Sequence, residues 1–251
     1  MARTIRAVAV VLALVVSASQ ARAEDLKILG AGALEPALAA LADGFRRQSG
    51  NAVRVEFATA AEIRERGGAA LTAELVAAPQ ASIAELARAG RITGMPAALG
   101  RVGLGVVVPA AAAPIDISTA AALRRALLAA TAVVYNRASS GQGIEALIQT
   151  LGVADQLASR TVRFPDAESV MRHLMSAGQG AIGFGAPTAI SLYTGSRLRY
   201  AGPVPADLQS YTSYAIAPTP AATPLARAFL SYLEGDEARA ILGRAGVERP
   251  R

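Results

Sequence analysis

Between Leu26 and Gly90 apolar runs alternate with helix-period segments three times: LKILGAG then ALEPALAALADGFRRQSG, AVRVEFAT then TAAEIRERGG, AELVAA then ASIAELARAG. Apolar runs bounded by turn residues suit buried strands, and strands alternating with helices pair in parallel, because each crossover helix returns the chain to the same edge direction. The expected class is α/β, with helices on the faces of a parallel sheet. Gly50 and Gly90 close two of the helices, where a chain leaves most easily through a left-handed residue.

RVGLGVVVP, residues 101–109, reads as a long strand, and a second series follows it. ALRRALLAA is a helix, AVVY a strand, GIEALIQTLG a helix ended by Gly152 and ESVMRHLMSAG a further amphipathic helix. QGAIGFGAPTAI is a Gly-rich strand that turns, YTSYAIAP a last strand, and PLARAFLSYLEGDEARAILGRAG a helical region broken near Gly235. Two lobes joined by two strand crossovers, over 101–109 and 211–218, account for this order. The expected partition is residues 24–104 plus 215–251 for lobe 1 and 105–214 for lobe 2.

The start of the chain reads differently. Arg3 and Arg6 precede ten apolar residues, 7–16, and Ala21-Arg22-Ala23 follows a polar stretch. A membrane helix needs about twenty apolar residues. A charged start, short apolar core and small-x-small ending instead describe a secretory signal peptide over 1–23, which places the mature chain in the periplasm, not spanning the membrane. Its loss removes three arginines and no acids, taking the formal charge from +6 to +3, too slight and dispersed to point to nucleic acid. Without cysteine the chain has no disulfide or thiolate chemistry, and with His173 as its one histidine a zinc site is not expected. No metal or organic cofactor is anticipated.

The stretch YNRASSGQGIEAL ends a buried strand, crosses a Ser/Gly loop and starts a helix. It lacks the G-x-S-x-G turn of a serine nucleophile and the Gly-rich lysine loop of a nucleotide site. A small anion held by Ser139, Ser140 and the Gln142 N–H is the remaining reading, beside simple capping of the helix by a serine.

In their order along the chain, LKILGAGALEPAL, VEFATAAEIRER, ALTAELVAAPQ, GQGIEALIQTLGV and QGAIGFGAPTA resemble the periplasmic molybdate-binding proteins, the solute-binding components of ABC importers. The resemblance implies a two-lobed type II periplasmic binding protein fold, a ligand cleft between the lobes, an importer membrane component as partner, and a monomer. It also implies ligand positions: the family's two oxyanion-binding serines fall on Ala33 and Ala60, and its ligand tyrosine on Phe184. Three hydroxyl donors are missing from those positions, which counts against molybdate.

In open α/β lobes ligands bind beyond the carboxyl ends of strands, where helix N-termini offer unpaired N–H groups. Such ends are expected around Ala33, around Thr59 and Ala60, at 139–142, and around Glu168, Ser169 and Val170. Arg64 and Arg137 are the cations expected near them, and two arginines facing helix ends suit a di- or tricarboxylate. The leading expectation is therefore capture of such an anion for an ABC importer. The alternative is an isomerase of trans-aconitate-type tricarboxylates, with Glu62 as base and the arginines as carboxylate holders; the other reading of Glu62 is a favourable first-turn carboxylate. A receptor domain feeding a sensor is a third possibility.

Overall fold

A computed structural model of the chain describes residues 25–68, 71–195 and 197–249. The expected signal peptide lies outside them. Strands β1 (Leu26–Ala31), β2 (Val53–Ala58) and β3 (Leu75–Pro79) are joined by helices α1 (Glu35–Ser49) and α2 (Ala60–Gly68), and α3 (Gln80–Arg88) leads to β4 (Ala97–Val102). β1 pairs in parallel with β2 and β3, as the alternation predicts. The chain then builds β5 (Gly105–Pro109), α4 (Ala120–Ala129), β6 (Ala132–Asn136), α5 (Ser139–Thr150), α6 (Ala154–Leu157), β7 (Thr161–Phe164), α7 (Ala167–Ser176), β8 (Ala181–Gly185), α8 (Pro187–Ser191) and β9 (Leu198–Pro203). It ends with β10 (Thr212–Pro218), α9 (Pro224–Leu233) and α10 (Asp236–Arg244).

Two five-stranded sheets result, β2-β1-β3-β10-β4 and β7-β6-β8-β5-β9. In each the fourth strand is antiparallel and is the one reached by crossing from the other half: β5 pairs with β8 and β9, and β10 with β3 and β4. The two-lobed mixed α/β architecture thus matches the expected class. The crossings differ in detail. RVGLGVVVP is two strands in two sheets, broken at Gly103 and Leu104, and the crossing expected over 211–218 is complete by Thr212, which already pairs with Val102. Gly50, Gly90 and Gly152 have φ of 76°, 69° and 62°, the left-handed exits read from the sequence.

Each lobe has its own core. In the first, Phe45 from α1 meets Phe229 from α9 edge-on at 5.2 Å, against the buried runs of β1 and β3. Burying such a ring contributes about 1.5–3 kcal/mol. Aliphatic side chains of β5, β6 and β8 fill the second, with α4 and α5 on one face and α7 on the other. α8 belongs in sequence to lobe 2, yet Ala186 and Ala189 pack into the lobe 1 core and the Thr188 hydroxyl donates to the Ala33 carbonyl at 2.6 Å. At the crossing, the Gln209 amide behaves like a strand: Leu104 N–H donates to its Oε1 at 2.6 Å and its Nε2 donates to Leu104 O at 3.0 Å.

Candidate functional site

The carboxyl ends of β1, β2, β6, β7 and β8 converge on a cavity of about 310 Å³ between the lobes. Its wall is made of the turns that follow those strands, because each strand hands over directly to a helix whose first N–H groups face inward. Lobe 1 contributes Ala33, Thr59, Ala60 and Glu62; lobe 2 contributes Ser139, Ser140, Asp166 and Glu168. A larger depression of about 1240 Å³ lies along β4, the Gly103-Leu104 link and α10. It collects no strand carboxyl ends with opposed helix starts, so the smaller cavity is the candidate site.

The start of α5 is built around Asn136, the last residue of β6 and only 2 % exposed. Its Oδ1 accepts the Ala138 N–H at 2.9 Å, closing an Asx-type turn, and its Nδ2 donates to Ser140 Oγ at 3.1 Å. Gly141 follows because nothing larger fits: a Cβ there would lie 1.8 Å from the Asn136 carbonyl oxygen. Ser140 is thereby committed to Asn136, whereas Ser139 lines the cavity and its hydroxyl has no hydrogen-bond partner among the described residues.

At the start of α2 the protein supplies its own anion. Glu62 Oε2 accepts the Thr59 N–H at 2.7 Å while Thr59 Oγ1 accepts the Glu62 N–H at 3.2 Å, a reciprocal capping box. The hydrogen bonds from Thr59 hold the Glu62 carboxyl below the usual carboxylate range. α7 is capped likewise, Asp166 Oδ1 accepting the Ser169 N–H at 2.7 Å. Tyr193 and Tyr214 complete the wall. Burial raises the pKa of Tyr193, with Glu168, Glu35 and Asp166 adding to the effect, and burial pushes Tyr214 up to about 12.

Of the positions expected from the sequence, Ala33, Thr59, Ala60, Glu62, Ser139, Ser140 and Glu168 line the cavity, and Arg64, Arg137, Gln142, Ser169, Val170 and Phe184 do not. Arg64 is turned along α2 to α3, its Nε 3.1 Å from Glu85 Oε2 and its guanidinium donating to Ser82 Oγ at 3.2 Å. Arg137 follows inward-facing Asn136 and so points the other way, into a separate depression of about 440 Å³ with Tyr135, Glu145 and Arg163. Gln142 is solvent-exposed on α5, and the Ser169 N–H is taken by Asp166. Val170 and Phe184 are wholly buried in the lobe 2 core. Sequence reasoning missed Glu35, Asn136, Asp166 and Tyr193. For Asp166 a signal existed: P-D-A-E-S is an acidic N-cap before an amphipathic helix.

Among the described residues no group of three or more His, Asp or Glu side chains is placed to hold a metal ion, and no helix is long and apolar enough to cross a membrane. The profile of the bacterial extracellular solute-binding proteins matches residues 26–248. No curated protein matches by sequence. The periplasmic molybdate-binding protein of Azotobacter vinelandii superposes with a TM-score of 0.76 at 20% identity, over 90% of this chain and 100% of that one. Peb3 from Campylobacter jejuni, also solved with L-phospholactate bound, gives 0.67 at 16% identity over 90% and 100%. An ABC-transporter substrate-binding protein from Agrobacterium tumefaciens gives 0.70 at 15% identity, over 90% and 79%.

Proposed function

The chain belongs to the bacterial extracellular solute-binding proteins, and from that premise we propose that it captures one small polar solute between its lobes in the periplasm and presents it to the membrane component of an ABC importer. The observation that carries this is the cavity of about 310 Å³ walled by opposed helix starts from both sheets. Hinge closure around such a cavity buries the solute and changes the outline of the protein, which is what a membrane partner can recognise.

The carboxylate preference expected from the sequence depended on Arg64 and Arg137, and neither lines this cavity. An aconitate isomerase would need those cations and a base of raised pKa, whereas Glu62 is held ionised by Thr59. Capture without turnover is therefore the favoured function. The test is to release and identify by mass spectrometry any small molecule carried by the purified protein, then to titrate it back calorimetrically while following the radius of gyration by X-ray scattering. Saturable binding with compaction is expected. Absence of any bound or bindable small molecule would refute the proposal, and conversion of trans-aconitate to its cis isomer would favour the enzyme.

A further inference from the structure

The charge of the cavity wall goes further than its shape. Glu35 and Glu62 reach it from lobe 1 and Asp166 and Glu168 from lobe 2, and among the described residues no arginine or lysine lines it. Glu168 pairs with Arg172 on the outer turn of α7. Glu35, Glu62 and Asp166 make no ion pair among the described residues. Arg66, one turn along α2, favours the ionised Glu62 but is itself bonded to Glu56.

An anion at a helix start draws on unpaired N–H groups and the positive end of the dipole. Here two of the starts facing the cavity are already occupied, α2 by Glu62 and α7 by Asp166. The field a free anion would use is cancelled by the protein's own carboxylates, and an incoming negative charge would meet those carboxylates as well. The same wall carries the Phe57, Tyr193 and Tyr214 rings. Aromatic rings beside carboxylates form a setting that binds organic ammonium or guanidinium groups, through cation–π attraction together with charge-assisted hydrogen bonds. The carboxylates do not gather into a metal-binding group, so a diffuse organic cation suits their spacing better than a metal ion.

Building on the solute-capture function, we propose that the solute of this cavity is a small organic cation, an amine or guanidinium compound, clamped between Glu35 and Glu62 of one lobe and Asp166 and Glu168 of the other. Closure then depends on the charge of the solute. Glu62 and Asp166 line the cavity with like charge from opposite lobes, and a cation between them is attracted by both walls. Ser139, whose hydroxyl has no hydrogen-bond partner among the described residues, is placed to hold a polar group at the other end of the same molecule.

The experiment is calorimetric titration of the purified protein with L-lysine, L-arginine, putrescine, spermidine and choline, against molybdate, phosphate, trans-aconitate and neutral L-glutamine. At least one amine is expected to bind, more weakly at higher salt, and the anions not at all. Asp166→Asn keeps a good N-cap and Glu62→Gln keeps a capping-box side chain, so both variants lose charge while retaining their helix starts. Each is expected to weaken amine binding about tenfold, the loss of one charge-assisted contact. Arg137→Ala, outside the cavity, leaves it unchanged. Binding of an anion or of glutamine with no amine response overturns the cation proposal while leaving solute capture intact. Amine binding that is indifferent to both charge-removing variants also overturns it. Failure of every compound, with nothing carried by the purified protein, overturns both.

Discussion

Gly141→Ala tests whether the start of α5 is fixed by the contact described above. An alanine in a helix ordinarily gains about 0.5–1 kcal/mol over glycine. At position 141 the added methyl would lie 1.8 Å from Asn136 O and 2.8 Å from its carbonyl carbon, both backbone atoms. Relief requires α5 to move off the end of β6 by more than an ångström, breaking the Asn136–Ser140 and Asn136–Ala138 bonds. Overpacking costs about 1–3 kcal/mol in ordinary cores, and the lost bonds add roughly 1 kcal/mol each. After the helix gain is subtracted, about 2–4.5 kcal/mol of net destabilisation remains, which at roughly 2–4 °C per kcal/mol for a chain of this size lowers Tm by about 4–18 °C. Because Ser139 moves with the helix, solute affinity falls with it. Gly243→Ala is the comparison: in α10 a Cβ at that position meets nothing within 4 Å, so Tm should rise by the propensity gain alone. Thermal melting of both variants by circular dichroism decides the matter. A Gly141→Ala protein that melts at or above the wild type refutes the steric argument.

Other outcomes follow from the seam and the caps. Thr188→Val removes the hydroxyl bonded to the Ala33 carbonyl, with an expected cost of about 0.5–1.5 kcal/mol and a larger radius of gyration for the solute-free protein; unchanged scattering would show that this bond does not restrain the lobes. The Thr59 hydrogen bonds hold the folded-state pKa of Glu62 below that of an ordinary glutamate, so its contribution is present above the ordinary glutamate range and is lost as pH falls through the lower folded value. The gap in Tm between wild type and Glu62→Gln should therefore be largest near neutrality and close as pH drops below the ordinary glutamate range; a gap independent of pH would contradict the capping-box assignment. Gln209→Ala deprives the Leu104 N–H of its partner, while Leu104 C=O keeps the Val204 N–H, and should destabilise by about 1–3 kcal/mol, read by urea denaturation, whereas a surface role would leave the midpoint unmoved.

Much of the fold was legible because its signals are local. Apolar runs and glycine exits mark β1–β3, α1, α3 and α5, and the left-handed φ values at Gly50, Gly90 and Gly152 bear this out. The edge strands β7 and β9 were not: they lie at the ends of their sheet and alternate only weakly in burial, so period-two patterning had little to act on. At the site the helix starts were readable, but side-chain direction was not. Arg64 and Arg137 are near helix starts in sequence, yet one follows its helix to Glu85 and the other alternates away from Asn136. Glu35 and Asp166 were overlooked for a related reason: acids at helix starts are so common as caps that sequence alone does not tell one facing solvent from one facing a cavity.

The placement of β10 bears on how the protein is made. β10 is the last strand in the sequence, yet it lies between β3 and β4 and is the one strand that links β4 to its sheet. Every strand of the second sheet, by contrast, lies between residues 105 and 203. During vectorial synthesis the inserted half can complete its sheet first, while the half begun earlier waits with an edge of β3 and both edges of β4 unpaired. The first sheet, and with it the cleft that both lobes wall, is therefore completed only once the carboxyl-terminal segment has been made.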